Sequence, residues 1–330
     1  MLKRLSIKEY TEGILTGNRM ILSRAITLTE SNLPADKILA QEVLEAVLPH
    51  TGNSIRIGIT GVPGVGKSTF IEVFGQYLTK LPKKVAVLAI DPSSPISKGS
   101  ILGDKTRMEK LVNDPLAYIR PTPTSGGLGG VANKTREAML LCEAAGFEVI
   151  IIETVGVGQS ETVVHGMVDF FLLLMLAGAG DELQGIKKGI MEMADLIAIT
   201  KTDSGNETQA DLAKVAYQNA LHLFPPNQTG WYPEVLTCSA ITEKGMKEIW
   251  EVIEKHRALL IGNGYFQEKR SQQNLEWMYY FIKKSLEEKF YEHPSVDLYR
   301  KDIQQEVCEG KKLPINAAME LLNLFYQNRK

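Results

Sequence analysis

The fold and function of this chain are limited chiefly by one glycine-rich run. It is Gly61-Val62-Pro63-Gly64-Val65-Gly66-Lys67-Ser68-Thr69, which matches the pattern GxxxxGK[ST]. The apolar run Ile55–Thr60 before it predicts a buried strand, and apolar residues at helical spacing after it predict a helix. A strand, a glycine-rich turn and a helix in this order are typical of a phosphate-binding P-loop. Backbone N–H groups and the helix N-terminus converge there on an anion. The run therefore predicts a nucleotide site.

Two side chains of this run have predicted roles of their own. Lys67 is expected to reach the β- and γ-phosphates, and Ser68 is expected to offer its hydroxyl to Mg²⁺. Which nucleotide binds, and for what purpose, has to come from the rest of the chain.

Length and charge narrow the class of protein. The chain has 330 residues, 44% hydrophobic and 23% charged, with a net charge of −2. These values fit one large α/β domain with helical additions and favour neither nucleic acid nor an anionic membrane as a general partner. No apolar run reaches membrane-spanning length, and the three scattered cysteines form no metal or disulfide pattern. We expect a cytoplasmic protein.

Periodicity predicts an α/β fold of the P-loop NTPase type, with a mostly parallel, doubly wound sheet. Residues 1–50 are predicted to be a helical extension, 51–261 the nucleotide-binding domain, and 262–330 a helical region whose aromatic residues favour dimerisation or a partner surface. Further strands are predicted at Val85–Ile90, Leu116–Arg120, Glu148–Ile152, Val168–Ala177, Asp195–Thr200 and Glu234–Cys238.

A long loop is predicted after the second of these strands. The stretch 92–108 is rich in Pro, Ser and Gly, and it begins where doubly wound sheets bind their ligands. Asp91 and Asp104 are hard oxygen ligands and are therefore candidates for holding Mg²⁺, directly or through water. The glycine-rich stretch Thr124–Gly130 is predicted to be a second loop.

The strand Glu148–Ile152 leads into Glu153-Thr154-Val155-Gly156. An acid at the end of an apolar strand with glycine three residues later is typical of the Walker B and switch II elements. Glu153 is the candidate that holds the Mg²⁺ shell, and the N–H of Gly156 is expected to bond the γ-phosphate. Most GTPases have Asp here; Glu153 reaches one methylene further, which favours a water-mediated contact.

The run Thr200-Lys201-Thr202-Asp203 resembles the NKxD signature of guanine recognition, with Thr in place of Asn. The carboxylate of Asp203 can accept hydrogen bonds from guanine N1–H and the 2-amino group, whereas adenine has no such donor pair. The stem of Lys201 can lie along the purine face. Ser239-Ala240-Ile241 matches the loop whose backbone N–H groups bind guanine O6. Together these residues predict a guanine site.

Five motifs, in their order along the chain, resemble those of the MeaB/ArgK family of P-loop GTPases, which includes the MMAA homologues. They are GVPGVGKST, DPSSPISKGSILGDKTRM, ETVGVGQSE, GAGDELQGIKKGI and TKTD. The resemblance covers nearly the whole chain and is weakest after about residue 262. It implies a homodimeric GTPase that acts as a chaperone of an adenosylcobalamin-dependent acyl-CoA mutase, typically methylmalonyl-CoA mutase, by gating cobalamin loading and protecting the mutase. It also implies three switch loops, at 91–108, 153–159 and 178–188.

The predicted reaction is Mg²⁺-assisted in-line attack of water on the γ-phosphate of GTP, giving GDP and phosphate. Lys67 and Glu153 are the first candidates for a catalytic role. Gln159 is a candidate for positioning the water, although it lies two places beyond the usual position. Lys187, Lys188 and Arg107 are candidates for stabilising the developing charge.

Other functions stay open at this stage. An ATPase or kinase linked to lysine/arginine/ornithine transport would carry the same P-loop but would transfer phosphate to an acceptor other than water. A metal-insertion GTPase would be expected to carry Cys or His clusters, and the sequence has none. A protein-targeting GTPase would be expected to carry a basic, methionine-rich module, whereas the methionines here are scattered.

Overall fold

The structure is a computed structural model that describes residues 4–90, 108–122, 128–154, 160–177, 188–203, 205–225 and 229–327. Its central element is a sheet whose described strands are all parallel. The strands are β1 Ile55–Gly61, β2 Val85–Ile90, β3 Ala117–Thr122, β4 Val149–Thr154, β5 Phe170–Leu176, β6 Leu196–Thr200 and β7 Glu234–Thr237. Their spatial order is β3-β2-β4-β1-β5-β6-β7, so β1 lies in the middle between β4 and β5.

Helices precede, connect and follow these strands. They are α1 Ile7–Leu15, α2 Arg19–Glu30, α3 Pro34–Val47, α4 Lys67–Lys80, α5 Glu109–Val112, α6 Leu128–Ala144, α7 Ser160–His165, α8 Lys188–Met193, α9 Glu207–Leu221, α10 Met246–Gly262, α11 Tyr265–Tyr291, α12 Pro294–Cys308 and α13 Pro314–Gln327. Local signals set several starts: Ser6 and Glu9 form a capping box at α1, and the side chain of Asn18 caps α2.

Both faces of the sheet are covered, as the doubly wound prediction requires. On one face Ile57 and Ile59 of β1 pack with Phe74 of α4 and Ile253 of α10. On the other face α1, α2, α3, α6 and α7 share a core with the alternate residues of β2 and β4, and α8 and α9 pack on β5 to β7. Because parallel strands are buried on both faces, they are apolar along nearly their whole length. The predicted α/β fold with a parallel, doubly wound sheet is confirmed, whereas dimerisation through the C-terminal helices stays a prediction.

Two predicted boundaries differ from the structure in ways that matter for the site. Strand β4 continues through Glu153 and Thr154, so the acid is part of the strand rather than the residue after it. Helix α6 begins at Leu128, so Gly129 and Gly130 are helical and not in the predicted loop. Gly126 and Gly127 lie outside the described residues.

Contacts divide the chain into two compact units, Met1–Arg270 and Ser271–Lys330. The first contains the sheet, and the second contains most of α11 together with α12 and α13. The boundary expected after residue 261 falls at the junction of α10 and α11, and the three-region division stays a prediction. In the part of the chain that the structure describes, no helix combines the length and apolar character needed to cross a bilayer.

Candidate nucleotide site

The GxxxxGK[ST] run forms the connection between β1, which ends at Gly61, and α4, which begins at Lys67. Gly64 and Gly66 have φ angles of 79° and 90°, in the left-handed region that favours glycine. A Cβ added to Gly61 would lie 2.5 Å from the carbonyl oxygen of Leu174 on β5. These three glycines therefore provide the turn and the close approach to β5 that this strand–loop–helix connection needs.

The side chain of Lys67 lies back over the end of β1. Its Nζ donates a hydrogen bond to the carbonyl oxygen of Gly61 at 2.8 Å. Burial lowers the pKa of Lys67, while the negative charges of Glu153 and Glu161 act in the opposite direction. The ammonium thus lies close to two carboxylates, at the point where the phosphate-binding residues converge.

Ser68, in the first turn of α4, contacts Glu153, near the end of β4. The hydroxyl of Ser68 donates a hydrogen bond to Oε1 of Glu153 at 3.2 Å. This contact is possible because β4 pairs with β1, with Glu153 opposite Ile59, and α4 begins directly above β1. Glu153 is only 3% exposed. A hydroxyl and a buried carboxylate together are the oxygen donors that a hard cation prefers.

The end of β6 is bonded directly to the glycine-rich loop. The hydroxyl of Thr200 is 2.8 Å from the carbonyl oxygen of Val65 and 3.3 Å from that of Met175. The next residue, Lys201, has a φ of 60° and donates from Nζ to the carbonyl oxygen of Gly64 at 2.7 Å. A non-glycine residue in the left-handed region is strained, and such strain is common at ligand sites.

Asp203 and the loop Ser239–Ile241 are brought together by the residues beside them. Both the N–H and the hydroxyl of Thr202 bond the carbonyl oxygen of Cys238, at 3.3 and 3.1 Å. The N–H of Thr242 bonds the hydroxyl of Ser239 at 3.2 Å, which closes the loop on itself. Asp203 is half-buried. One edge of the sheet therefore carries both the P-loop and the predicted base-binding residues.

Comparison with known proteins identifies the family to which the chain belongs. Residues 22–295 match the family described as "Methylmalonyl Co-A mutase-associated GTPase MeaB". The chain belongs to the MeaB family of GTPases. It is accordingly a GTPase, as the resemblance of its motifs predicted.

Individual relatives agree with this membership. The chain is 49% identical over 322 residues to a putative GTPase of Caulobacter vibrioides, covering 98% of each chain. It is 49% identical over 293 residues to GTPase ArgK of Escherichia coli, covering 89% of this chain and 87% of that protein. It is 44% identical over 326 residues to the mouse protein named "Methylmalonic aciduria type A homolog, mitochondrial", covering 96% of this chain and 78% of that one.

The same fold occurs in a solved structure. A crystal structure described as an LAO/AO transport system kinase superposes with a TM-score of 0.78 at 38% identity, covering 99% of this chain and 100% of that one. The kinase description and the GTPase names thus belong to similar proteins, so the transport-kinase alternative reflects a difference of naming rather than of fold.

Part of the predicted site of this MeaB-family GTPase lies outside the described residues. This applies to Asp91, Asp104, Arg107, Gly156, Gln159 and Lys187. Lys188 opens helix α8, but its side chain is likewise not described. The remaining predicted residues, Gly61–Thr69, Glu153, Lys201, Asp203 and Ser239–Ile241, all lie at the carboxyl-terminal edge of the sheet. Their roles in binding and catalysis stay predictions.

The structure adds two residues that sequence reasoning passed over. Glu161, in the first turn of α7, is 1% exposed and its charge acts on Lys67. Thr200 bonds the P-loop, although the sequence shows it only as a departure from the Asn of the signature. Glu161 stands three residues before Val164, one helical turn away on the same face of α7, and this spacing is a signal that could have marked it as a buried acid that needs compensating interactions.

Proposed function

We propose that this MeaB-family GTPase binds GTP and GDP with Mg²⁺ through the residues at the carboxyl-terminal ends of the strands. Gly61–Thr69 cradle the phosphates, and Asp203 accepts hydrogen bonds from guanine N1–H and the 2-amino group. Lys201 lies along the base, and the N–H groups of Ser239–Ile241 face guanine O6. The observation that supports this proposal is a pair of hydrogen bonds, from the Thr200 hydroxyl to the Val65 carbonyl and from Lys201 Nζ to the Gly64 carbonyl, which hold the segment Thr200–Asp203 against the P-loop.

The described oxygen donors fit a magnesium ion. Ser68 and Glu153 are already within hydrogen-bond distance of each other, and both are hard ligands. We infer that they hold the ion, and that Asp91 and Asp104, which lie outside the described residues, complete its surroundings directly or through water. When bound, the ion would neutralise charge that develops on the β- and γ-phosphate oxygens.

In the proposed reaction a water molecule attacks the γ-phosphorus in line with the bond to the β–γ bridging oxygen, giving GDP and phosphate. Catalysis comes mainly from positioning and charge stabilisation. Lys67 supplies a positive charge at the phosphates, and the Gly156 N–H bonds the γ-phosphate. Gln159 orients the water, and Arg107, Lys187 and Lys188 are the candidates for stabilising the developing charge. We expect slow intrinsic turnover that a partner protein accelerates.

We further propose that the partner is an adenosylcobalamin-dependent acyl-CoA mutase, methylmalonyl-CoA mutase or a related enzyme. The GTPase would act as its chaperone, gating cobalamin loading and protecting the loaded mutase. The support is the family description, which names a mutase-associated GTPase. We expect the GTPase rate to rise when the purified mutase is added, and the mutase to co-elute with the GTP-bound protein. An unchanged rate together with separate elution would contradict the chaperone role.

We also propose that the protein is a homodimer that pairs through residues 262–330. Within the unit Ser271–Lys330, large apolar side chains are exposed on each helix, including Tyr279 at 64%, Leu298 at 69% and Ile315 at 71%. Exposed apolar area of this kind is typical of a protein interface. Light scattering on the full chain should give twice the monomer mass, and Ile315→Glu should reduce it. A monomeric mass for the unaltered chain would contradict the proposal.

The transferred phosphate distinguishes hydrolysis from kinase activity. With γ-labelled GTP, the proposal predicts that all label appears as inorganic phosphate, whether or not lysine, arginine or ornithine is present. Label on a protein or a small-molecule acceptor would favour the kinase that the solved relative's description suggests.

A further inference from the structure

A second buried carboxylate lies near the phosphate-binding lysine. Glu161 is 1% exposed in the first turn of α7, the helix that connects β4 to β5. A carboxylate removed from water is costly unless opposite charge or hydrogen bonds compensate it. The packing of α7 against β1 indicates where this carboxylate lies relative to Lys67.

Helix α7 packs directly against β1 at Gly58, where there is no room for a side chain. A Cβ at Gly58 would lie 2.8 Å from Cγ1 of Val164 and 2.9 Å from Cδ2 of Phe171. Since α7 connects two parallel strands, it runs antiparallel to them, with its first turn toward the edge that carries the P-loop. Glu161 precedes Val164 by three residues, which is about 4.5 Å along a helix axis. The backbone of Glu161 therefore lies beyond Gly58, at about the level of Ile59 and Thr60, since a strand rises roughly 3.3 Å per residue. Because helical side chains point toward the N-terminus of their helix, the carboxylate extends further, toward Gly61.

Lys67 is held at the end of β1 toward which this side chain extends. Its Nζ bonds the carbonyl oxygen of Gly61, the last residue of β1. Glu153 reaches the site from β4 on the side of α4, where it meets Ser68. Glu161 approaches from the opposite face of the sheet, the face that α7 covers. The two carboxylates thus approach Lys67 from opposite faces of the sheet, and both charges act on its ammonium group.

We propose that Glu161 is a positioning residue of the phosphate site, whose carboxylate holds the ammonium of Lys67 over the end of β1, ready for the β- and γ-phosphates. This inference rests on the proposed function, because it takes Lys67 to be the residue that contacts those phosphates. Glu161 itself acts on the nucleotide only through Lys67.

The test is a double-mutant cycle on nucleotide affinity in the full chain. Glu161→Gln keeps the size of the side chain and removes its charge. We expect it to weaken GTP binding by about tenfold, a size typical of coupling between groups in contact. Glu161→Asp should recover part of the loss, and Glu192→Gln, the same change at an exposed residue of α8, should have no effect. In a Lys67→Ala background, Glu161→Gln should cause no further loss.

Equal weakening in both backgrounds would overturn the proposal, because Glu161 would then act independently of Lys67. Unchanged or tighter GTP binding by Glu161→Gln, with normal thermal unfolding, would overturn it as well. A crystal structure of Glu161→Gln without nucleotide gives a second measurement: Nζ of Lys67 should leave the Gly61 carbonyl, and an unchanged Lys67 would contradict the inference. A different result would contradict the proposed function itself: the variant Lys67→Ala would bind GTP as tightly as the unaltered protein.

Discussion

The hydroxyl of Thr200, at the end of β6, donates a hydrogen bond to the carbonyl oxygen of Val65 in the P-loop at 2.8 Å. The two residues are far apart in sequence, and the bond is buried. It joins the Thr200–Asp203 segment directly to the P-loop, at the position where the NKxD signature has Asn.

We therefore predict that Thr200→Val weakens both the fold and nucleotide binding. Valine keeps the shape but leaves the buried Val65 carbonyl without its donor, which costs about 1–3 kcal/mol. The free energy of unfolding should fall by that amount in urea titrations, and GDP affinity should fall in calorimetry. Thr79→Val is the matched control, since its hydroxyl bonds only the Gln76 carbonyl inside α4. Equal GDP affinity in Thr200→Val would show that this bond does not support the base site.

Asp203 provides the test of base specificity. Asp203→Asn replaces one acceptor by an amide donor, so GDP should bind at least about a hundredfold more weakly, or roughly 2.7 kcal/mol. Xanthosine diphosphate, which carries an oxygen in place of the guanine 2-amino group, should bind better to the variant than to the unaltered protein. Calorimetry with GDP, ADP and xanthosine diphosphate measures all three. Asp211→Asn, at an exposed position of α9, is the control.

If ADP bound the unaltered protein as tightly as GDP, the guanine assignment of Asp203 would be wrong. The kinase or ATPase alternative would then regain support, because the P-loop alone accepts either nucleotide.

Glu153→Gln should raise the Mg²⁺ concentration needed for hydrolysis. The amide can still accept the Ser68 hydrogen bond, so the local packing is kept while the negative charge is lost. We expect the half-saturating Mg²⁺ concentration to increase about tenfold or more, by analogy with other ligand-shell changes at metal sites. The measurement is a phosphate-release assay over a Mg²⁺ series, with Glu109→Gln as the exposed control. An unchanged Mg²⁺ dependence would remove Glu153 from the proposed metal site.

We predict that the stability of the protein depends on pH through a buried ion pair at the amino-terminal ends of the strands, opposite the P-loop. Arg270 donates from Nε and Nη2 to the two carboxylate oxygens of Asp169, at 2.8 and 2.6 Å. Burial raises the pKa of Asp169, but the hydrogen bonds and charge of Arg270 outweigh this, so its pKa lies below the ordinary aspartate value. Since the folded-state pKa is the lower one, the pair stabilises fully above about pH 4 and loses its effect as the pH falls through the folded-state pKa.

Asp169→Asn should therefore lower the free energy of unfolding by about 3–5 kcal/mol at pH 7, because it leaves Arg270 buried without its counter-charge. The difference from the unaltered protein should shrink as the pH is lowered below 4 in denaturant titrations. Asp297→Asn, which removes a partner of Arg300 in an exposed pair, should change stability by at most about 1 kcal/mol. A constant difference from pH 7 to pH 3 would contradict this account of Asp169.

The P-loop, the α/β fold class and the order of the motifs could be predicted from local sequence patterns. The glycines of Gly61–Gly66, the strand before them and the helix that begins at Lys67 are consecutive, so local backbone chemistry and periodicity were enough to predict them. The same holds for the base motif at Thr200–Asp203, which follows directly on an apolar strand.

Which of these residues contact one another depends on the packing of the elements and could not be predicted from local patterns. The parallel order places β4, β1, β5 and β6 side by side, and this brings Glu153 to Ser68 and Thr200 to Val65. The position of Glu161 depends on how closely α7 packs on Gly58, a contact between elements that no local pattern encodes. Sequence periodicity reports which face of an element is buried, whereas the partner on that face is set by sheet order and packing.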